Sequence, residues 1–464
     1  MATEIQPAPA SAVRLKRALT LWDLILYGVI VIQPVAPMSL YGVLMKRGQG
    51  HAATTILIAM IAMLLTAFSY GRMARVYPSA GSAFTYVGQE INPALGYVTG
   101  WSMTMDYMLN PMICIIWISQ QAHVFAPAIP YAVWAVFFAL VFTALNVQGI
   151  KTSARVNSGL AAGMGVVIAV FFVVGARYVF GHPHDGTSFF THPFYDPATW
   201  SARAVLGGTS IAVLTYIGFD GISTLSEEAQ NPRRNILLAT VLVCVVIGIL
   251  SAIEVYAAQL VWPRTEPFPN VDTAFTFVAG RAWAPLFAIV GFTLVVANFG
   301  SGMGAQLGAA RLLYGMGRSN ALPKKFFGAV ELRHRIPRNN VLFVGALALA
   351  GAFLLPAIAG QATGYELGAN LLNFGALLAF MGVNASAFVH YSWRDSQSGL
   401  VKRLLNAPAP LAGLVICAIL WWNLSTNARI VGGIWMVAGI AYGAVKTKGF
   451  QSDLVKFDIP GEDE

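Results

Sequence analysis

Residues 211–235 read IAVLTYIGFDGISTLSEEAQNPRRN. The stretch opens as a run apolar enough for a bilayer, then sets Gly218, Asp220 and Gly221 inside what should be one span. A carboxylate inside a membrane is costly and marks a functional site by default. Glycines on either side weaken the helix that would carry it. Unwound backbone persists at that depth only where protein or a water-filled cavity satisfies its N–H and C=O groups. The stretch therefore predicts an interrupted transmembrane helix around a polar site.

The rest of the chain supplies the membrane context. Its 464 residues are 57% hydrophobic and 11% charged, with a mean hydropathy of +0.64. A soluble chain of this length would carry about 25% charge. Continuous apolar runs, long enough for a ~30 Å hydrocarbon core, recur throughout. They do not alternate as barrel strands would. We read twelve spans, at 21–45, 52–73, 94–124, 131–149, 157–180, 204–226, 235–262, 283–313, 340–359, 366–391, 409–425 and 429–447. An extra amphipathic piece, GSAFTYVGQEIN, lies between the second and third. The expected fold is an all-α polytopic membrane protein.

Basic residues set the orientation. Of the 29 Lys and Arg residues, only Lys46, Arg47, Arg177, Arg203, Arg264, Arg281 and Arg429 fall outside when the N-terminus is placed in the cytoplasm. Both termini are therefore expected inside, in a bacterial inner (plasma) membrane. The net charge of +9 belongs to this topology, and no nucleic-acid partner is expected. Cys114, Cys244 and Cys417 all fall in apolar spans and read as packing residues. His182 and His184, in the longest external segment, are expected to be ordinary loop residues rather than metal ligands. Glu254 and Glu366 fall toward outer span ends and are expected to reach water.

The first span carries a second interruption, Gln33-Pro34-Val35-Ala36-Pro37. A proline removes a helical donor and crowds the preceding turn, so two of them three apart should break the helix. Broken first and sixth spans head two five-helix halves, 20–180 and 204–391. Odd-numbered repeats run in opposite directions across the membrane, which is the inverted-repeat plan of many secondary transporters with a midplane site. Residues 1–19 and 448–464 would be cytoplasmic tails and 409–447 two peripheral spans.

Several segments resemble the amino acid–polyamine–organocation superfamily of transporters. They are PSAGSAFTYVGQEINPALGYVTGW (78–101), GIKTSARVN (149–157), YIGFDGISTLSEEAQNPRRNI (216–236) and ARLLYGMGRSNALP (310–323). The resemblance implies a leucine-transporter-like fold, with ten core helices in two inverted repeats plus two peripheral ones. It also implies uptake or exchange of amino acids or amines, often proton-coupled. Within the superfamily the chain is most similar to bacterial putrescine importers, through ILYGVIVIQPV, GWSMTMDYMLNPMI and LLNFGALLAFMGVNASAFVHYSWR. It departs from the superfamily in two places. No glycine lies between Gly28 and Gly42, so the amide nest that binds a substrate carboxylate in amino acid members is weakened. The fifth-span lysine of many proton-coupled members is replaced by Met164, seven residues after Asn157.

The expected substrate site is built from Gln33, Val35, Ala36, Asp106, Tyr107, Tyr216, Gly218, Phe219 and Asp220. Asp106 and Asp220 would be two anionic points for a diamine, the aromatic residues cation–π faces, and the break residues backbone ligands. Glu227, Glu228 and Arg233 are expected to form an inner gate or coupling element, since exposed ion pairs are weak enough to open. The expected function is proton-coupled import of a small organic cation, putrescine or a related amine, by alternating access. The alternatives are an amino acid permease or exchanger, then a non-transporting sensor or a channel. No nucleotide loop, metal cluster or nucleophile–base motif points to an enzyme, and no cofactor is expected. Expected partners are the small-molecule amine or amino acid, protons and membrane lipid.

Overall fold

The computed structural model describes residues 18–78, 82–148, 154–184, 186, 188–226, 228–262, 266–318, 322–331, 336–360, 364–394, 400–447 and 449. Among them, nine helices are long and apolar enough to cross a membrane. A tenth span is a broken pair bent by 47°. The chain is a multi-pass, all-α membrane protein.

The broken pair is α1 (Leu21–Ile32) and α2 (Ala36–Arg47). The start of α1 is fixed by a reciprocal cap. Thr20 N–H donates to Asp23 Oδ2 at 2.8 Å, and Asp23 N–H donates to Thr20 Oγ1 at 3.3 Å. The helix stops at Gln33, whose φ of 68° is unusual for a residue with a Cβ. Only the first proline breaks it. Pro37 sits in the first turn of α2, where an N–H would have no helical partner anyway.

Next come α3 (Ala52–Val76), the short α4 (Ser82–Glu90) and α5 (Pro93–Phe125). The last is 33 residues long, opened by Asn92 Oδ1 accepting from Ala94 N–H at 2.7 Å. Then follow α6 (Tyr131–Val147), α7 (Ala154–Gly181), the one-turn α8 (Ser188–Thr191) and α9 (Ala202–Ala212). The α9 span does not continue as an α-helix. It tightens into 3₁₀ turns at Val213–Tyr216 and Asp220–Leu225, with Ile217 extended and Gly218 at φ 119° between them. The expected glycine break is thus the middle of a longer unwound stretch.

The remaining helices are α10 (Pro232–Val261), α11 (Ala274–Ala282), α12 (Ala284–Arg318), the one-turn α13 (Lys324–Phe327), α14 (Arg338–Ala359), α15 (Gly364–Phe388), α16 (Leu400–Asn406), α17 (Pro408–Trp422) and α18 (Thr426–Lys446). A π-helical turn, Val389–Arg394, extends α15. The α3 helix packs along α10, while α5 is flanked by α12 and α15. The first break is tied to α12 through Gln33, and the 3₁₀ turns of the second lie against α3 and α10. Met164, where a lysine stands in many relatives of the resembled superfamily, is 7% exposed and part of the core.

Two ties bind separate elements at the N-terminal face. Leu19 N–H donates to Glu228 O at 3.0 Å and Gln230 N–H to Leu19 O at 2.8 Å, strapping the approach to α1 onto the chain beyond the unwound stretch. Glu90, ending α4, meets His390 and Arg394 at the end of α15 and accepts from Tyr77 Oη at 2.7 Å.

Two predictions follow from this packing. A Cβ on Gly218 would lie 2.9 Å from Val31 Cγ1 and 3.2 Å from Ile32 Cγ1, at a φ that L-residues avoid. Gly218→Ala should therefore cost about 1–3 kcal/mol and lower the melting midpoint in detergent. Gly300→Ala, with no atom within 4 Å of its Cβ, should leave that midpoint level or raise it. The second prediction concerns Glu90. Burial pushes its carboxyl up, but His390, Tyr77 and Arg394 outweigh burial and hold it below its usual 4.5. An acid held low contributes stability that is whole above its unfolded value and lost as pH falls through the folded one. Melting curves of Glu90→Gln should therefore lack the wild-type fall below about pH 4.5.

Candidate functional site

The two interruptions lie against each other, since Gly218 abuts Val31 and Ile32 at the end of α1. Each meets its backbone needs differently. At the first, Gln33 carbonyl accepts Ala36 N–H at 3.0 Å, and the Gln33 side-chain amide donates to Ala297 carbonyl in α12. Asn298, the next residue, donates to Ser39 Oγ at 3.0 Å. Proline supplies no N–H, and Ala36 N–H is taken. Val35 N–H, buried at 1% exposure, has no acceptor among the described residues. At the second, Asp220 Oδ1 accepts the freed Gly218 N–H at 3.2 Å. The acid thus stabilises the turn that exposes it.

A cavity of about 60 Å³ lies beside the first break, lined by Gln33, Asn110, Thr215, Asn298, Ser301 and Tyr365 among others. That is room for a few waters, against about 300–1,000 Å³ for an ordinary ligand pocket. A second cavity of about 930 Å³ opens on the face opposite the N-terminus, lined by Lys46, Arg47, Arg203, Glu366 and Arg429 among others.

Asp106 lies on α5 one turn from Asn110 and is 6% exposed. Among the described residues it has no hydrogen-bond or ion-pair partner. Gly375 allows α15 to come close here, since a Cβ would lie 2.5 Å from Ser102 carbonyl and 3.3 Å from Asp106 N. Asp106 and Asp220 are near enough for their charges to interact. Tyr70 and Tyr107 each lie in electrostatic range of both. Tyr107 also stacks against α12, 3.4 Å from where a Gly308 Cβ would stand. The centre thus holds two buried acids and two tyrosines.

Of the expected site residues, Gln33 and Ala36 line the cavity at the first break and Gly218 abuts that break, while Asp106, Tyr107 and Asp220 form a group within electrostatic range of one another and do not line the cavity. Tyr216 and Phe219 join neither group. Tyr216 Oη donates to Ile56 carbonyl at 2.9 Å, and the residue is fully buried. Phe219 packs against Tyr70 and Phe380 with ring centroids 5.5 and 5.3 Å away. Both hold helices together and offer no free face. Of the expected gate residues, Glu227 lies outside the described residues. Glu228 contributes its backbone to the Leu19 strap, while Arg233 is exposed and makes no ion pair with Glu228. Tyr27 lies in electrostatic range of Asp220, Arg311 and Glu228, and so joins the centre to this face.

Two acids expected to reach water do not. Glu254 is fully buried, and neither carboxylate oxygen has a hydrogen-bond partner among the described residues. Glu366 is 3% exposed and pairs with Arg47 and, at 3.4 Å, with Lys46. Tyr70, Asn110, Thr215, Asn298 and Tyr365 were not anticipated at the site. Their one sequence signal is a polar group inside an apolar run, which many structural residues share.

Known proteins match along nearly the whole chain. A family model described as amino acid permease covers residues 24–445. The low-affinity putrescine importer PlaP of Escherichia coli strain K12 is 34% identical over 459 residues, covering 97% of both chains. The branched-chain amino acid permease BcaP of Lactococcus lactis is 24% identical, covering 92% of this chain and 93% of its own. Cationic amino acid transporter 3 of Arabidopsis thaliana is 27% identical, covering 87% of this chain and 69% of its own. The chain belongs to the amino acid permease family, within the amino acid–polyamine–organocation superfamily.

Proposed function

We propose that the chain is a secondary active importer of a small organic cation, putrescine or a related amine, coupled to protons and working by alternating access. In this reading it has twelve spans. Residues 20–180 and 204–391 are inverted repeats, the face bearing the N-terminus is cytoplasmic, and the 930 Å³ vestibule faces outward. The observation that carries the reading is Asp106, a buried acid without a cation partner among the described residues, beside Asp220 and two tyrosines. An ammonium group supplies the missing charge. Tyrosine faces add about 0.5–2 kcal/mol each, the upper end applying when the cation is desolvated. The 34% identity to a putrescine importer supports the same substrate class. Proton coupling is supported by buried acids in a chain without a nucleotide motif.

The amino acid reading has one specific observation in its favour. Val35 N–H is an amide at the first break with no acceptor among the described residues, and so is available to a carboxylate. One amide is a poor nest, whereas two acids suit two ammonium groups.

Competition decides between the readings. Labelled putrescine bound to purified protein should be displaced by cadaverine and by a monoamine, and not by alanine or arginine. Equal displacement by either amino acid would transfer the site to that class. Asp106→Asn should weaken amine binding. Removing one partner from a buried pair costs about 3–5 kcal/mol, so Kd should rise by about two orders of magnitude or more. Uptake into proteoliposomes should collapse when the pH gradient and membrane potential are both dissipated. Persistence would indicate pure exchange.

A further inference from the structure

Between the vestibule and the central cavity lies a buried acid that the substrate site does not use. Asp272 belongs to the connection between α10 and α11, outside the spanning helices, yet it is 2% exposed. Its backbone is held on three sides. Asn270 Oδ1 accepts the N–H groups of Asp272 at 2.9 Å and Thr273 at 3.2 Å. Trp117 Nε1 donates to Asp272 carbonyl at 2.7 Å and also to Ser39 carbonyl at 3.0 Å. Ser39 lines the central cavity. The Asp272 carboxyl itself has a buried Oδ1 without a hydrogen-bond partner among the described residues.

The groups that face it come from three helices. Glu366 and Tyr365 stand on α15, Lys46 on α2 and Tyr131 on α6. Arg47 is one step further, bound to Glu366. Glu366, Lys46 and Arg47 line the vestibule, while Tyr365 lines the central cavity. Asp272 itself lines neither space, but its neighbours line both. Burial pushes its carboxyl up to about 8, Glu366 pushing the same way and Lys46 opposing. When it ionises, a second buried acid acts on Lys46 beside Glu366. When it is protonated, Glu366 alone holds both bases.

We propose that Asp272 is the acceptor of the coupling proton. The outer solution protonates it through the vestibule, and the bridge of Glu366 to Lys46 and Arg47 then closes the outer end. The proton leaves past Ser39 and Tyr365 once the central cavity opens inward. One O–H bond forms on the outer side and the same bond breaks on the inner side, so one proton crosses per cycle. This rests on the proton-coupled reading above and supplies the proton acceptor for a chain with Met164 in its fifth span.

The test uses full-length protein in liposomes loaded with unlabelled putrescine, and compares Asp272→Asn and Asp272→Glu with wild type. Wild-type exchange should change several-fold between pH 6 and pH 9, and an acid-outside gradient should drive net accumulation. Asp272→Asn should exchange at a rate independent of pH, and its accumulation ratio should fall to about 1. Asp272→Glu should restore both behaviours. Melting in detergent gives a readout without substrate. A carboxyl raised from 3.8 to about 8 binds its proton more tightly in the folded state, so stability falls as pH rises between those values and levels off above. The midpoint gap between Asp272→Asn and wild type should widen over that range and then stay constant. Gradient-driven accumulation by Asp272→Asn at the wild-type ratio would overturn the assignment while leaving proton-coupled import intact. Wild type that exchanges but never accumulates would overturn the coupling reading and the assignment together. An inactive Asp272→Asn that Asp272→Glu fails to rescue, with parallel melting profiles, would make Asp272 purely structural and also overturn it.

Discussion

Every backbone group released from a helix inside the bilayer must find a partner in the protein, and this constraint shapes the centre of the molecule. The two interruptions satisfy it by leaning on other elements. The first is stitched to α12 through Gln33 and Asn298. The second is closed by its own acid, since Asp220 answers the N–H of Gly218. The absence of a side chain on Gly218 lets the two unwound segments touch at Val31 and Ile32. The Leu19 strap joins the same two elements again at the N-terminal face. A displacement of either segment is therefore transmitted to the other at two levels of the bundle.

The spans were legible because a bilayer demands long apolar runs, and few other structures tolerate them. The breaks were legible in place and not in form. Pro34 and Pro37 carry the same local signal, yet one follows the last helical turn and the other opens the next helix. A proline's effect depends on where the preceding helix stops, which tertiary contacts decide. The glycines marked the turning point at Gly218 but not the 3₁₀ winding from Val213 to Leu225, since no residue type specifies that winding. Tyr216 and Phe219 resemble ligands in sequence because they flank Asp220. Their directions follow from helix rotation, and they turn toward α3 and α15. Asn298 and Thr215 were hidden for the opposite reason. Hydroxyls and amides in spans commonly serve backbone carbonyls, as Thr66 and Ser69 do, so a polar residue alone does not mark a cavity.

The burial of Glu366 shows how position along a span misleads. A residue near a span end reaches water only if that end is exposed, and here α2 brings Lys46 and Arg47 over it. The result is an uneven distribution of charge. The vestibule is rich in bases around one acid, and the centre holds acids without bases among the described residues. Electrostatic steering governs rates of encounter more than final affinity. For the proposed amine substrate, a positive rim would slow the approach of the ammonium and the buried acids would determine whether it stays. In the proposed cycle Lys46 and Arg47 also close the rim, so their withdrawal with Glu366 would open the path and lower its positive field in one movement.

This arrangement bears on which group can carry a coupling proton alongside a cation. A protonated lysine adds positive charge to the pathway and repels an ammonium. A protonated carboxylic acid is neutral and does not. An acid therefore serves a cationic substrate better than the lysine found in many relatives of this superfamily, provided its affinity for protons falls near neutral pH. Deep burial can raise a carboxyl that far, but an acid inside the substrate cavity would then lose its own attraction for the ammonium whenever it held the proton. Placing the proton site outside the cavity, in the connection that carries Asp272, separates the two tasks. In the proposed reading Asp106 and Asp220 are left to the ammonium, and the proton acts on the substrate through Lys46, which Asp272 and Glu366 both face.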